Sequence, residues 1–195
     1  NQPWVRHDMN EVGSYRREFE VGADWADRDV FLTIGAAGAA YYVWVNGERV
    51  GYSEDSKLPS EFNVTPHLRQ GRNVVAIELY RYADGSYLED QDFWRLSGIE
   101  RSVTLYAAPK TRIRDFEARA GLTNNYRDGS LDLSVEVAGK KAPARVRATV
   151  LDGEIPLLTR EASVAGTNRT ARVQATLPGI RTWSAERPDL YTLVV

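Results

Sequence analysis

The 195-residue chain contains no cysteine, two histidines and a single methionine. Without thiols there is no disulfide framework and no thiolate metal site, and a reducing compartment is permitted. His7 and His67 lie far apart in unlike contexts. That separation argues against a histidine-based metal centre and a Ser-His-Asp triad, so both are assigned structural roles. A dominant charge is also missing, since 25 Lys and Arg stand against 27 Asp and Glu for a formal net charge of −2. No basic stripe is available to neutralise phosphates, which excludes nucleic acid as the expected partner. No apolar run approaches the ~20 residues of a membrane-spanning helix, which excludes a membrane partner. Residues 1–10 show no secretory leader; with the lack of cysteine this favours a cytoplasmic location.

What is present suits a folded globular chain: 43% of residues are hydrophobic and 27% charged. At ~100–150 residues per domain, two domains are expected. Apolar and polar residues alternate with a period of two almost throughout and no stretch keeps a 3.6-residue period, so the chain reads as all-β. Tyr15, Arg17, Phe19 and Val21 share one face of a strand over residues 14–21. Arg17 interrupts that face and places the strand near a sheet edge. Residues 29–34 and 41–45 are β-branched and aromatic runs separated by a small-residue segment, residues 35–40, that permits a tight crossover. Asn46-Gly47 supplies the two positive-φ positions of a type I′ turn and joins residues 41–45 to 48–52. Thr65-Pro66-His67-Leu68 reads as the one helix-like turn, with Thr65 as its N-cap, and residues 73–80 read as a central strand.

Strand patterning stops near Ala108-Pro109-Lys110, which gives domains over residues 1–108 and 109–195. The second holds six runs, over residues 112–119, 130–138, 144–151, 157–164, 169–177 and 190–195. Their spacing of roughly 10–12 residues is that of an immunoglobulin-like sandwich, one strand short of the usual ~7. The last run stays apolar to Val195 with no turn residue, so a longer parent polypeptide is expected.

The chemistry gathers in one stretch between two strands, Asp84-Gly85-Ser86-Tyr87-Leu88-Glu89-Asp90-Gln91-Asp92-Phe93-Trp94-Arg95. Asp84-Gly85 is a turn signal. Aromatic faces beside carboxylates suit a sugar, whose C–H faces lie on apolar surface while each hydroxyl needs a fixed acceptor or donor. The plainer alternative is a solvated acidic loop with Phe93 and Trp94 plugged into the core. Cleaving a glycosidic bond would need two carboxyls facing it, roughly 5–5.5 Å apart for retention or 6.5–9.5 Å for inversion. Glu89, Asp90 and Asp92 sit too close together on a pinned loop to converge that way. Binding fits better than cleavage.

At these residues the chain resembles the N-terminal region of the β-galactosidases of glycoside hydrolase family 2. The resemblance rests on Trp44-Val45-Asn46-Gly47, Val50-Gly51-Tyr52-Ser53, Asp55-Ser56-Lys57-Leu58-Pro59-Ser60-Glu61-Phe62, the Asp84–Arg95 stretch, and Ser97-Gly98-Ile99 with Arg101. It covers most of residues 12–116. Residues 177–195, with Trp183-Ser184-Ala185-Glu186 and Pro188-Asp189-Leu190-Tyr191, are similar to the end of the family's next domain. The resemblance implies a jelly-roll β-sandwich, the family's sugar-binding domain, followed by an immunoglobulin-like β-sandwich. In such enzymes both precede a (β/α)8 barrel that carries the two catalytic Glu residues of a retaining mechanism, and that barrel is absent from this sequence.

Asp92 matches the family's jelly-roll aspartate, which in such enzymes reaches the active site, holds the galactosyl 6-hydroxyl and contributes to a sodium site. Asp92 is therefore the expected substrate-binding and sodium-ligating residue, its fellow ligands coming from the barrel; magnesium also belongs to enzymes of this kind. A second sugar-contacting residue of the family falls on Gly38, where this sequence departs from the pattern. The implied whole is a β-galactoside hydrolase that forms a homo-oligomer, this chain being inactive alone. Trp94 and Tyr87 are expected to anchor the loop to the core, Arg95 to pair with a loop acid, and Trp44 and Trp183 to be core. Two rival readings remain: a free-standing carbohydrate-binding module, and a structural or adhesive pair of sandwiches.

Overall fold

The computed structural model describes residues 8–89, 94, 96–139, 143–164 and 169–195. The chain divides into two compact units, Asn1–Pro109 and Lys110–Val195. The first contains β1 (Val12–Val21), β2 (Arg28–Ile34), β3 (Ala37–Gly38), β4 (Ala40–Val45), β5 (Glu48–Ser53), β6 (Ser60–Asn63), β7 (Gly71–Tyr80), β8 (Gly98–Ile99) and β9 (Val103–Pro109). They form a four-stranded sheet in the order β1-β7-β4-β5, a three-stranded sheet β6-β2-β9 and the short β3-β8 pair. All of these pairings are antiparallel.

Alternation decides which face is buried. Val75, Ile77 and Leu79 of β7 and Tyr41, Val43 and Val45 of β4 meet Val30, Leu32 and Ile34 of β2 in one core. Burying each such aliphatic side chain contributes ~1.5–3 kcal/mol, so the shared face holds the sheets together. Among the described residues the strand carrying Arg17 pairs only with β7 and is an edge strand. Arg17 is exposed there, as a cationic side chain can be on a strand where the sheet stops.

The β4–β5 turn has Asn46 at φ 52° and Gly47 at φ 87°, the two positive values a type I′ hairpin demands. The expected cap at Thr65 is corrected. The 3₁₀ turn there, Thr65–His67, is preceded by Val64 at the N-cap position and has no side-chain cap. The Thr65 hydroxyl instead accepts from the Val30 amide at 2.8 Å, tying the turn to β2. Nor is this the one helix-like piece, because 3₁₀ turns also form at Ala23–Trp25 and Asp84–Tyr87. His67 packs structurally, its Nδ1 lying 2.8 Å from Glu48 Oε2.

The second unit contains β10 (Arg112–Thr123), β11 (Asp128–Ala138), β12 (Arg145–Asp152), β13 (Ile155–Ser163), β14 (Thr170–Leu177) and β15 (Thr192–Val194). They make two three-stranded sheets, β10-β11-β14 and β13-β12-β15. Leu131, Leu133, Val135 and Val137 of β11 pack with Val146, Ala148 and Val150 of β12 and with Ala171 and Val173 of β14. Both units are thus β-sandwiches, and the chain is all-β as its two-residue period requires.

Candidate functional site

The acidic-aromatic stretch leaves the end of β7 and is held before it turns. Asn10 clamps its first residues, donating Nδ2 to Tyr82 O at 2.8 Å and accepting the Tyr82 amide on Oδ1 at 3.1 Å. Asp84–Tyr87 then winds as a 3₁₀ turn because Ser86 serves both ways: its hydroxyl accepts the Ala83 amide at 3.0 Å and its amide donates to Ala83 O at 3.0 Å. Gly85 O receives the amides of Leu88 and Glu89 at 2.9 and 2.8 Å and closes the turn. At the far end, the Ser97 hydroxyl donates to Gly38 O at 2.8 Å. There β8 pairs with β3, Gly98 opposite Gly38, and the Glu100 amide donates to Ala36 O at 3.0 Å.

The neighbouring segment Asp55-Ser56-Lys57 supplies three further ties. Asp55 Oδ1 accepts the amides of Lys57 and Leu58 at 3.2 and 3.1 Å, an Asx turn that fixes the backbone around Ser56. The Ser56 hydroxyl donates to Glu89 Oε2 at 2.6 Å, and Lys57 Nζ donates to both oxygens of Glu100 at 2.7 and 2.9 Å. None of these three residues was singled out by sequence reasoning, although they lie within a motif that carried the family resemblance. The dense Asp-Ser-Lys polarity was the available signal.

The loop's apolar residues do not behave as expected. Trp94 is 89% exposed, Leu88 87% and Leu96 77%, and Tyr87 is also exposed. Trp94 and Tyr87 therefore do not anchor the loop in this core; the expectation assumed that all the surface they pack on lies within the sandwich. Trp183, also expected in a core, is 61% exposed. Trp44 is half-buried beside Tyr42, with ring centroids 5.9 Å apart.

Asp92, the expected sugar and sodium ligand, lies outside the described residues, as do Asp90, Phe93, Arg95 and His7. Among the described residues no three His, Cys, Asp or Glu side chains gather into a metal-sized group. Glu89 and Glu100, which flank the Asp92 segment in sequence, are engaged by Ser56 and Lys57, and the described residues alone form no group that fits a resident cation. At Gly38, an added Cβ would meet the Ser56 and Glu100 side chains at 3.7 Å and nothing closer. A Cβ is thus tolerated there at ordinary van der Waals distance, so the departure from the family pattern is not forced by crowding at that atom.

Residues 1–109 match the family model for the glycosyl hydrolases family 2 sugar binding domain, and residues 111–195 match that for glycosyl hydrolases family 2. Curated relatives include a β-galactosidase of Priestia megaterium, 40% identical over 99% of this chain and 20% of the relative. Another is a β-galactosidase of Lactobacillus delbrueckii subsp. bulgaricus, 41% identical over 93% of this chain and 18% of the relative. The chain thus spans about a fifth of the length of these relatives. Among solved structures, a β-glucuronidase of Bacteroides uniformis superposes with a TM-score of 0.79 at 22% identity, covering 95% of this chain and 24% of that one. That likeness shows the fold.

Proposed function

The chain belongs to glycosyl hydrolase family 2, and we propose that it is a non-catalytic N-terminal portion of a β-galactosidase-type retaining hydrolase. In this reading it supplies a substrate-site loop to a (β/α)8 barrel carried elsewhere in the same polypeptide. The observation that supports it is the exposure of Leu88, Trp94 and Leu96 within nine residues of a loop whose two ends are tied down. Large apolar side chains exposed close together in sequence favour burial against a further surface. The curated relatives, β-galactosidases of which this chain matches a fifth, have the length to provide one.

In that setting Asp92 accepts a hydrogen bond from a galactosyl hydroxyl, and its ionised carboxylate makes it a strong acceptor. The same carboxylate supplies one hard oxygen ligand to sodium, the remaining ligands coming from the barrel. No magnesium ligand is assigned to this chain. The two catalytic carboxyls belong to the barrel, so the chain alone does not turn over a β-galactoside. The assembled hydrolase is a homo-oligomer in this reading, with its substrate a terminal β-D-galactoside.

Two measurements test the proposal. In the full-length hydrolase, Asp92→Ala abolishes most turnover while the circular dichroism spectrum and melting midpoint stay unchanged; unaltered kinetics would refute the site role. In calorimetry the isolated chain binds galactose or lactose no more tightly than millimolar, because one carboxylate without an enclosing wall leaves the sugar solvated. Micromolar affinity from the chain alone would instead establish a free-standing carbohydrate-binding module.

A further inference from the structure

We propose that Ser56 and Glu89 form a positioning clasp: a buried hydroxyl and a carboxylate that together hold the entry side of the Asp84–Arg95 loop in its substrate-ready place. The proposal rests on the reading under Proposed function for its catalytic consequence, but its geometry stands apart from that reading.

Ser56 is 8% exposed, one of two buried polar residues among those described. A hydroxyl taken out of water needs a partner, and leaving it unpaired costs ~1–3 kcal/mol. Its partner is Glu89 Oε2 at 2.6 Å, a bond that spans 33 residues of sequence. Glu89 is itself exposed, so water competes for its carboxylate and the bond is worth ~1 kcal/mol net. Neither end is loose. Ser56 sits in the turn made by Asp55 Oδ1, and Glu89 follows the 3₁₀ turn with its own amide bound to Gly85 O.

Glu89 is the last described residue before the loop's acidic centre and stands three positions ahead of Asp92. The exit side is already tied, by Ser97 to Gly38 O and by Glu100 to Lys57. Upstream the chain is held at Tyr82 by Asn10; beyond that point the Ser56–Glu89 bond is the long-range tie among the described residues of the entry side, where Leu88 is exposed and gives no apolar anchor. Holding the described entry residues in place leaves them less ordering entropy to lose on binding. Glu89 in this role is a positioning residue and touches no substrate.

The test uses Ser56→Ala, Ser56→Thr and Glu89→Gln. In the 195-residue chain, amide exchange at Ser86, Leu88 and Glu89 accelerates about tenfold in Ser56→Ala, corresponding to ~1.4 kcal/mol of lost closure. Exchange in β4 and β7 stays as it was, and Ser56→Thr returns the loop to slow exchange. Unchanged loop exchange in Ser56→Ala overturns the clasp. In the full-length hydrolase Ser56→Ala raises KM several-fold with a smaller change in kcat, Glu89→Gln lies between it and wild type, and Ser56→Thr recovers. A fall in melting midpoint with unmoved KM would mark the bond as structural only and overturn the positioning role. Asp92→Ala serves as the control: if it leaves kinetics untouched the reading under Proposed function fails, whereas if it is damaging while Ser56→Ala is silent, only the clasp fails.

Discussion

Asn73 is fully buried in β7, and substituting it tests how the first sandwich closes its lower turns. Its Nδ2 donates to Arg69 O at 2.8 Å and to Gly71 O at 2.7 Å. Its Oδ1 accepts from the Arg69 amide at 2.8 Å and from Asn46 Nδ2 at 2.8 Å. Asn46 in turn donates to His67 O and accepts the Val74 amide, so one amide side chain links the β4–β5 hairpin, the residues after the Thr65 turn and the start of β7. Asn73→Ala removes four hydrogen bonds at once. At ~1 kcal/mol net each the loss is about 4 kcal/mol, and water entering the vacated space to meet the stranded Arg69 and Gly71 groups brings it to about 3.

Asn73→Asp separates hydrogen bonding from volume. The replacement keeps the shape but turns two donors into an anionic oxygen aimed at the Arg69 and Gly71 carbonyls. Folding therefore favours the protonated acid and raises its pKa above the unfolded ~3.9. Between the two pKa values the folded state binds more protons than the unfolded one, so stability relative to wild type rises as pH falls. Urea unfolding followed by tryptophan fluorescence reads the first unit, since Trp25 and Trp44 lie there partly buried while Trp183 of the second is exposed. A cost below ~1 kcal/mol for Asn73→Ala, or a pH-independent deficit for Asn73→Asp from pH 7 to 4, would refute the claim that this network closes the unit.

One buried hydroxyl and two exposed carboxylates make further tests. The Tyr41 ring is fully buried but its hydroxyl finds no partner among the described residues, so Tyr41→Phe raises stability by ~1 kcal/mol in the same urea assay. Glu161 is held below its ordinary carboxyl value of 4.5, first by the hydrogen bond from Arg147 and then by the charges of Arg147 and Arg145; Glu18 is lowered likewise, first by its bond from Arg72. Folded-state values depressed in this way add stability that is present above about pH 4.5 and disappears as pH falls through them, so the melting midpoint drops below that pH. Arg147→Gln and Arg72→Gln make the drop shallower, and the effect is small because both pairs are exposed.

Local conformational demands were legible without coordinates. Asn46-Gly47 specifies its hairpin because two adjacent positive φ values leave few other residues to choose, and the alternation of β7 specifies its buried face because a strand has a period of two. Thr65 was misread because its hydroxyl had two claimants. The local one was the helical turn, and the one that won was the Val30 amide, 35 residues away and brought close only by folding. The aromatics of the acidic loop were misread for a related reason. The rule that rings seek the core presumes that the core in question lies within the same sandwich, and Trp94 does not turn inward to this one.

The candidate site shows where residue type stops being informative. Glu89, Asp90 and Asp92 are equivalent as neighbouring carboxylates of one loop, and nothing in their spacing says which one stays available to a ligand. The fold distinguishes at least one of them: Glu89 is engaged by a serine from another loop, as Glu100 is by the lysine next to that serine. A carboxylate tethered in this way is held in place and can serve as a brace. Which acid of such a run is tethered is therefore decided by residues outside it, and for Glu89 that residue is Ser56.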